Sequence, residues 1–209
     1  MCELSVALAK APLIAILRGL KPERAIETAE TLVEAGFRVI EVPLNSPSPL
    51  ESIERIARRF GDTVLVGAGT VLSERDMYSV ADAGGRVIVA PNMNPALGSA
   101  AVAKGLTWCP GVLTPSEAFA ALEIGAGTLK LFPAEMIPPS AVTAMRAVLP
   151  KGAQLVAVGG ITADRMTQYR RAGANAFGLG SALFKPEYSI EDVAQRAREF
   201  VDAALALER

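Results

Sequence analysis

A helix that must stop and hand over to a strand needs a residue willing to leave right-handed backbone space, and glycine does so at the lowest cost. Glycines in that setting recur along this chain at positions 36, 61, 84, 105, 125, 152 and 173, separated by 20–27 residues. Most close a helical stretch and precede a short apolar run. Examples are Glu34-Ala35-Gly36 before Val39-Ile40, Asp82-Ala83-Gly84 before Val87-Ile88-Val89, and Arg171-Ala172-Gly173 before Ala176-Phe177. Each glycine therefore marks a helix-to-strand junction. With a first apolar run at Leu13-Ile14-Ala15-Ile16-Leu17, the seven junctions predict eight strands alternating with helices.

The helices carry matching start signals. Pro22 stands where a first helical residue should, with Ile26, Ala29, Leu32 and Val33 following at helical spacing. Thr114-Pro115-Ser116-Glu117 reads as a capping box, and Ser189 opens a helix whose apolar face runs from Ile190 to Leu205. Near-continuous apolar strands fit a parallel sheet covered on both faces. Eight such units predict an α/β chain forming a single (β/α)8 TIM barrel, one domain over residues 1–209, with Met1 to Ala11 as a leading helix. An open doubly wound sheet is the alternative, but it usually carries fewer units.

Composition narrows the chemistry. Histidine is absent, which excludes Ser-His-Asp and Cys-His nucleophile systems and imidazole-held zinc. Cys2 and Cys109 fit neither a disulfide scaffold nor a CxxC site, so both are expected as reduced thiols, Cys109 buried. Twenty-one Lys and Arg against 22 Asp and Glu leave a net charge of −1, no surplus for nucleic acid or anionic membrane. With no secretory signal and no long apolar span, the expectation is a soluble, cytoplasmic protein.

In such barrels the chemistry gathers at the C-terminal strand ends. This chain places there Arg18-Gly19, Glu41, Gly67-Ala68-Gly69-Thr70, Lys130, Gly159-Gly160 and Gly178-Leu179-Gly180-Ser181. Of the six lysines, only Lys130 lies within an apolar β-run. Burial of an ammonium drives its pKa down from about 10.4, toward the neutral amine that Schiff-base chemistry needs. The unreactive alternative is a strand-end lysine reaching out to solvent. Glu41 is the fifth residue after Gly36 and Lys130 the fifth after Gly125, so both are expected to point into the barrel. A buried ion pair is seldom a good stability device, which favours a catalytic pair over a structural plug. Arg18 suits a substrate carboxylate or phosphate, although a surface salt bridge would explain it equally. The glycines after strands seven and eight let the backbone approach an anion, and a helix starting near Ala182 is expected to add its positive end. Gly67-Ala68-Gly69-Thr70 is ambiguous, because small residues there could simply make room.

Taken in order, Ile14-Ala15-Ile16-Leu17-Arg18-Gly19, Glu41-Val42-Pro43-Leu44-Asn45-Ser46, Gly67-Ala68-Gly69-Thr70-Val71, Leu129-Lys130-Leu131-Phe132-Pro133 and Val158-Gly159-Gly160 span nearly the whole chain. The set resembles the 2-keto-3-deoxy-6-phosphosugar-acid aldolases, class I Schiff-base enzymes on a (β/α)8 barrel. The resemblance implies that Lys130 forms the Schiff base, that Glu41 is the acid/base, and that Arg18, Thr70, Gly160 and Gly180 contact substrate. Val158, Gly159 and Ser181 complete the expected substrate-binding set. It further implies a homotrimer with no metal or organic cofactor, acting on a phosphosugar acid to give pyruvate and glyceraldehyde 3-phosphate. Gluconate-type members have an arginine four residues after the glutamate and a threonine before the paired glycines; here stand Asn45 and Val158. Both departures resemble the 6-phosphogalactonate branch, with gluconate or dual specificity as the alternative. A phosphate-binding isomerase or epimerase using Glu41 as base, and a non-catalytic phosphosugar sensor, are the competing readings.

Overall fold

The computed structural model of the chain describes residues 3–207. Met1 and Cys2, including the expected Cys2 thiol, lie outside the described residues. The strands are β1 (Leu13–Ile16), β2 (Val39–Pro43), β3 (Leu65–Gly69), β4 (Val87–Val89), β5 (Thr107–Cys109), β6 (Gly111–Val112), β7 (Thr128–Leu131), β8 (Gln154–Val158) and β9 (Ala176–Leu179). They pair in the order β5-β4-β3-β2-β1-β9-β8-β7-β6, and every pairing is parallel. The two terminal segments, β5 and β6, are halves of one strand, interrupted at Pro110, which has no N–H to give a ladder. The Pro110 carbonyl accepts from the Lys130 N–H at 2.9 Å, joining β7 to the break and closing the ring. The eight expected strands are thus present as a (β/α)8 barrel, with the fifth split.

Around it lie α1 (Glu3–Lys10), α2 (Ala25–Ala35), α3 (Pro49–Phe60), α4 (Glu74–Asp82), α5 (Pro95–Ala103), α6 (Pro115–Ile124), α7 (Pro139–Val148), α8 (Ala163–Ala172) and α9 (Ile190–Ala206). Gly36, Gly125 and Gly173 cap α2, α6 and α8 with φ of 115°, 110° and 107°, the left-handed stop expected of them. Gly61 and Gly152 depart from that expectation. Gly61 keeps a right-handed φ of −59°, and Gly152 is not left-handed; α7 has already ended at Leu149, in extended backbone before Pro150. Both capping boxes form, Thr114 with Glu117 and Ser189 with Asp192. Pro22 opens a 3-10 turn, Pro22–Arg24, and α2 starts only at Ala25. On α9 the buried face is Val193, Ala197, Phe200 and Ala204, whereas Leu205 faces solvent.

One expectation fails outright: no helix begins near Ala182. After β9 the chain makes a turn in which the Leu183 and Phe184 N–H groups donate to the Gly180 carbonyl at 2.9 and 3.0 Å, and the next helix waits until Ile190. Pro186 explains this, since it has no N–H to donate and disfavours helical backbone at Lys185.

The period-two alternation of the strands sorts the core into two layers. Ile14, Ile16, Val39, Val156 and Val158 face the barrel interior, while Leu13, Ala15, Ile40, Val42, Leu155 and Ala157 face the helices. Leu4 and Leu8 of α1 belong to the interior cluster, so the leading helix is a plug under the N-terminal end of the barrel. Among the described residues no helix is long and apolar enough to cross a membrane.

Candidate active site

Glu41 sits in β2 and Lys130 in β7, each flanked by residues of the outer layer, so alternation turns both side chains inward. Both are buried, 2% and 6% exposed respectively. They line one small interior space with Ile14, Ile16, Val156 and Val158, and Lys130 also reaches the cavity above. The equal spacing from the junction glycines thus does place them on the same side. The Lys130 Nζ lies 4.5 Å from the centroid of the Phe132 ring.

Burial pushes the Glu41 carboxyl above the ordinary carboxylate range, because a charge there has lost its water. Lys130, and after it Arg18, pulls in the opposite direction, and burial wins. Gly69 is small for the sake of this carboxylate: a Cβ there would stand 2.6 Å from Glu41 Oε1. Gly69, the last residue of β3, therefore makes room for Glu41. Gly67 has a different reason, since a Cβ would run into the Val87 carbonyl of β4.

Above the pair opens a cavity of about 440 Å³ at the C-terminal end of the barrel. Arg18, Lys130, Val158, Gly159, Gly160, Gly180 and Ser181 all line it, bringing together seven of the nine residues singled out in the sequence. Glu41 lies beneath, in the interior space that shares Lys130. Thr70 is the exception: it is absent from the lining of either space. Its backbone is nonetheless left-handed, φ 56°, which is costly for a β-branched residue.

Lys185, Arg196, Tyr188 and Glu135 line the same cavity and escaped the sequence reading. Lys185 sits in the irregular segment before α9, and Arg196 is on α9 itself, where periodicity marks only the apolar face. The one signal available was proximity: Lys185 is five residues beyond Gly180 and Glu135 five beyond Lys130. The segment holding Lys185 is tied down from afar. Arg24 donates to the carbonyls of Pro186 and Tyr188, both at 2.8 Å, and Gly19 packs where a Cβ would stand 2.6 Å from the Pro186 ring. Ser46, three residues past the end of β2 (Val39–Pro43), accepts from the Gly19 N–H at 3.0 Å, linking the Arg18 turn to the Glu41 strand.

The arrangement offers a buried amine beside a carboxyl with an elevated pKa, under a mouth carrying Arg18, Lys185 and Arg196. That combination can attack a carbonyl, move a proton and hold an anion.

Comparison with known proteins gives the same direction. The sequence model described as KDPG and KHG aldolase matches residues 4–198. A protein of Rhizobium meliloti (strain 1021) called a probable 2-dehydro-3-deoxy-6-phosphogalactonate aldolase is 50% identical over 186 residues, covering 89% of this chain and 88% of its own. The 2-dehydro-3-deoxy-6-phosphogalactonate aldolase of Escherichia coli (strain K12) is 44% identical, covering 93% of this chain and 95% of its own. A solved structure described as native KDPGal superposes with a TM-score of 0.93 at 43% identity, over 95% of this chain and 97% of that one. With its motifs in order on the same barrel and that family's model spanning nearly all its length, this chain belongs to the KDPG and KHG aldolase family.

Proposed function

We propose that the chain is a class I aldolase of one barrel domain that cleaves 2-dehydro-3-deoxy-6-phosphogalactonate to pyruvate and glyceraldehyde 3-phosphate. The observation that carries this is the pairing of buried Lys130 with buried Glu41 beneath a cationic, glycine-lined mouth. The Lys130 amine attacks the C2 ketone, and loss of water gives a protonated imine. That cation accepts the electron pair of the C3–C4 bond as the C4 hydroxyl loses its proton to Glu41. The aldehyde leaves, the enamine takes a proton at C3, and water hydrolyses the imine to pyruvate and the free amine. Borohydride reduction in the presence of pyruvate tests the reading. A stable adduct on Lys130, found by mass spectrometry of the peptide, is the expected result, whereas an isomerase or a sensor would take no label.

The 6-phosphate is assigned to the loops after β8 and β9, with Arg18, Lys185 and Arg196 nearby. Gly180 gives a clean test, since a Cβ there meets nothing within 4 Å. Gly180→Val should therefore fold normally yet block the anion, raising KM for the phosphorylated substrate at least about tenfold while sparing the unphosphorylated one. Equal losses on both substrates would show that the loop serves folding alone. Gly159 and Gly160 would not serve: both have positive φ, and a Cβ at either would collide with Glu135.

Selectivity at C4 is assigned to Val158. It is buried, lines both the cavity and the interior space beside Lys130, and fills the room over Gly178. A hydroxyl aimed at valine loses its water without replacement, at roughly 1–3 kcal/mol. Val158→Thr, nearly isosteric, should move the kcat/KM ratio toward the gluconate epimer. An unchanged ratio would remove Val158 as the selector, and a wild type that already prefers the gluconate epimer would overturn the galactonate assignment; the aldolase reading survives either result.

The homotrimer rests on the family resemblance, and the cytoplasmic location on the reading of the sequence. Sedimentation velocity of the purified chain reads the first directly.

A further inference from the structure

The space over both paired glycines is already taken, and by an anion. A Cβ on Gly159 would collide with Oε2 of Glu135, and one on Gly160 would sit 2.9 Å from both Cγ and Oε1 of the same side chain. Glu135 belongs to the 3-10 turn Ala134–Met136 that follows β7, and it lines the mouth cavity. Among the described residues it forms no ion pair, although Arg18, Lys185 and Arg196 line that cavity too. Nearby, the backbone N–H groups of Gly160, Ile161, Ser181 and Ala182 donate to no described backbone carbonyl. A ring of open donors and cations thus has one carboxylate set against it, pressed on the loop that a phosphate would approach.

We propose that Glu135 determines how tightly the phosphate end is held: it is a negative charge beside the seat that weakens phosphate binding and favours release of the phosphorylated product. The inference rests on the assignment of the phosphate to the β8 and β9 loops. A phosphate dianion on Gly159-Gly160 must share their surroundings with the Glu135 carboxylate, which is exposed, and a doubly charged anion that close to a carboxylate is repelled even across water. A carboxylate that only shaped the loop would act through its volume, and glutamine would replace it without consequence for phosphate. A carboxylate that acts through its charge would not be replaced so quietly.

Isothermal titration of inorganic phosphate into the full-length wild type, Glu135→Gln, Glu135→Asp and Gly180→Val decides the matter. Glu135→Gln keeps the shape and removes the charge, so it should bind phosphate about tenfold more tightly at low ionic strength. That gain should shrink as salt is raised to about 0.5 M, since screening acts on charge and leaves volume alone. Glu135→Asp keeps the charge and should stay near wild type. Unchanged or weaker binding by Glu135→Gln overturns the proposal, as does an Asp variant that matches the Gln variant. Binding that Gly180→Val leaves intact, or no binding by wild type and the Gln variant alike, removes the phosphate seat itself and Glu135 with it. Binding that Gly180→Val abolishes but Glu135→Gln leaves unmoved retains the seat and removes only Glu135.

Discussion

Lys130→Met should reduce aldol cleavage to background while the barrel stays folded, and borohydride with pyruvate should no longer label the chain. Met keeps the length of the side chain and its contact with Phe132 but has no amine to form the imine. The substitution also removes a charge that the interior has to desolvate, so stability should hold or rise where Glu41 is protonated. Its second effect falls on Glu41. Lys130 is the larger of the two influences that pull the Glu41 carboxyl down, and without it burial raises that carboxyl further. A carboxyl with a raised pKa in the folded state destabilises only when charged. The penalty is absent below the ordinary carboxylate range and grows as pH rises through the folded value. The melting temperature of Lys130→Met should therefore fall more steeply than that of wild type as pH rises above the ordinary carboxylate range. Substantial residual cleavage by this variant would sink the Schiff-base assignment.

Glu41→Gln should still form the imine with pyruvate but turn over about 10²–10⁴-fold more slowly, the usual contribution of a positioned acid/base. Exchange of the pyruvate methyl protons with D₂O, followed by NMR, isolates the step at C3. Undiminished exchange would take Glu41 out of the mechanism. The pH dependence supplies a second readout. Because burial holds the Glu41 carboxyl above the ordinary range, the acidic limb of wild-type kcat/KM should lie above that range and vanish in the Gln variant. The stability penalty of a charged Glu41 also vanishes, so the variant should gain on wild type as pH rises.

The chain order of polar residues at strand ends was legible because each unit announces itself locally. Gly36, Gly125 and Gly173 are left-handed caps that only glycine adopts at low cost, and the strands between them are short and apolar. Counting from those caps placed Glu41 and Lys130 on the same inward side, since alternation within a strand is a local rule. Gly61 and Gly152 show where the signal misleads: both mark true junctions, yet neither uses the left-handed conformation that made the others recognisable. The missing helix near Ala182 is a similar case, in which Pro186 outweighs the apolar run Ala182-Leu183-Phe184.

What the sequence determined by itself was the alternation of elements, the inward direction of the charged pair and the glycine content of the mouth, all consequences of interactions a few residues long. What only the tertiary structure decided was which side chains share a space. Glu135 reaches the paired glycines, which lie about two dozen positions downstream, and Arg24 grips the Pro186 and Tyr188 carbonyls more than 160 positions away. Arg196 enters the mouth from a helix whose periodicity speaks only of its apolar face, while Thr70 stays out of both spaces despite its place at a strand end. Closing the barrel brings the first strand beside the last, and a ring closure of that kind leaves no mark at any single position in the chain.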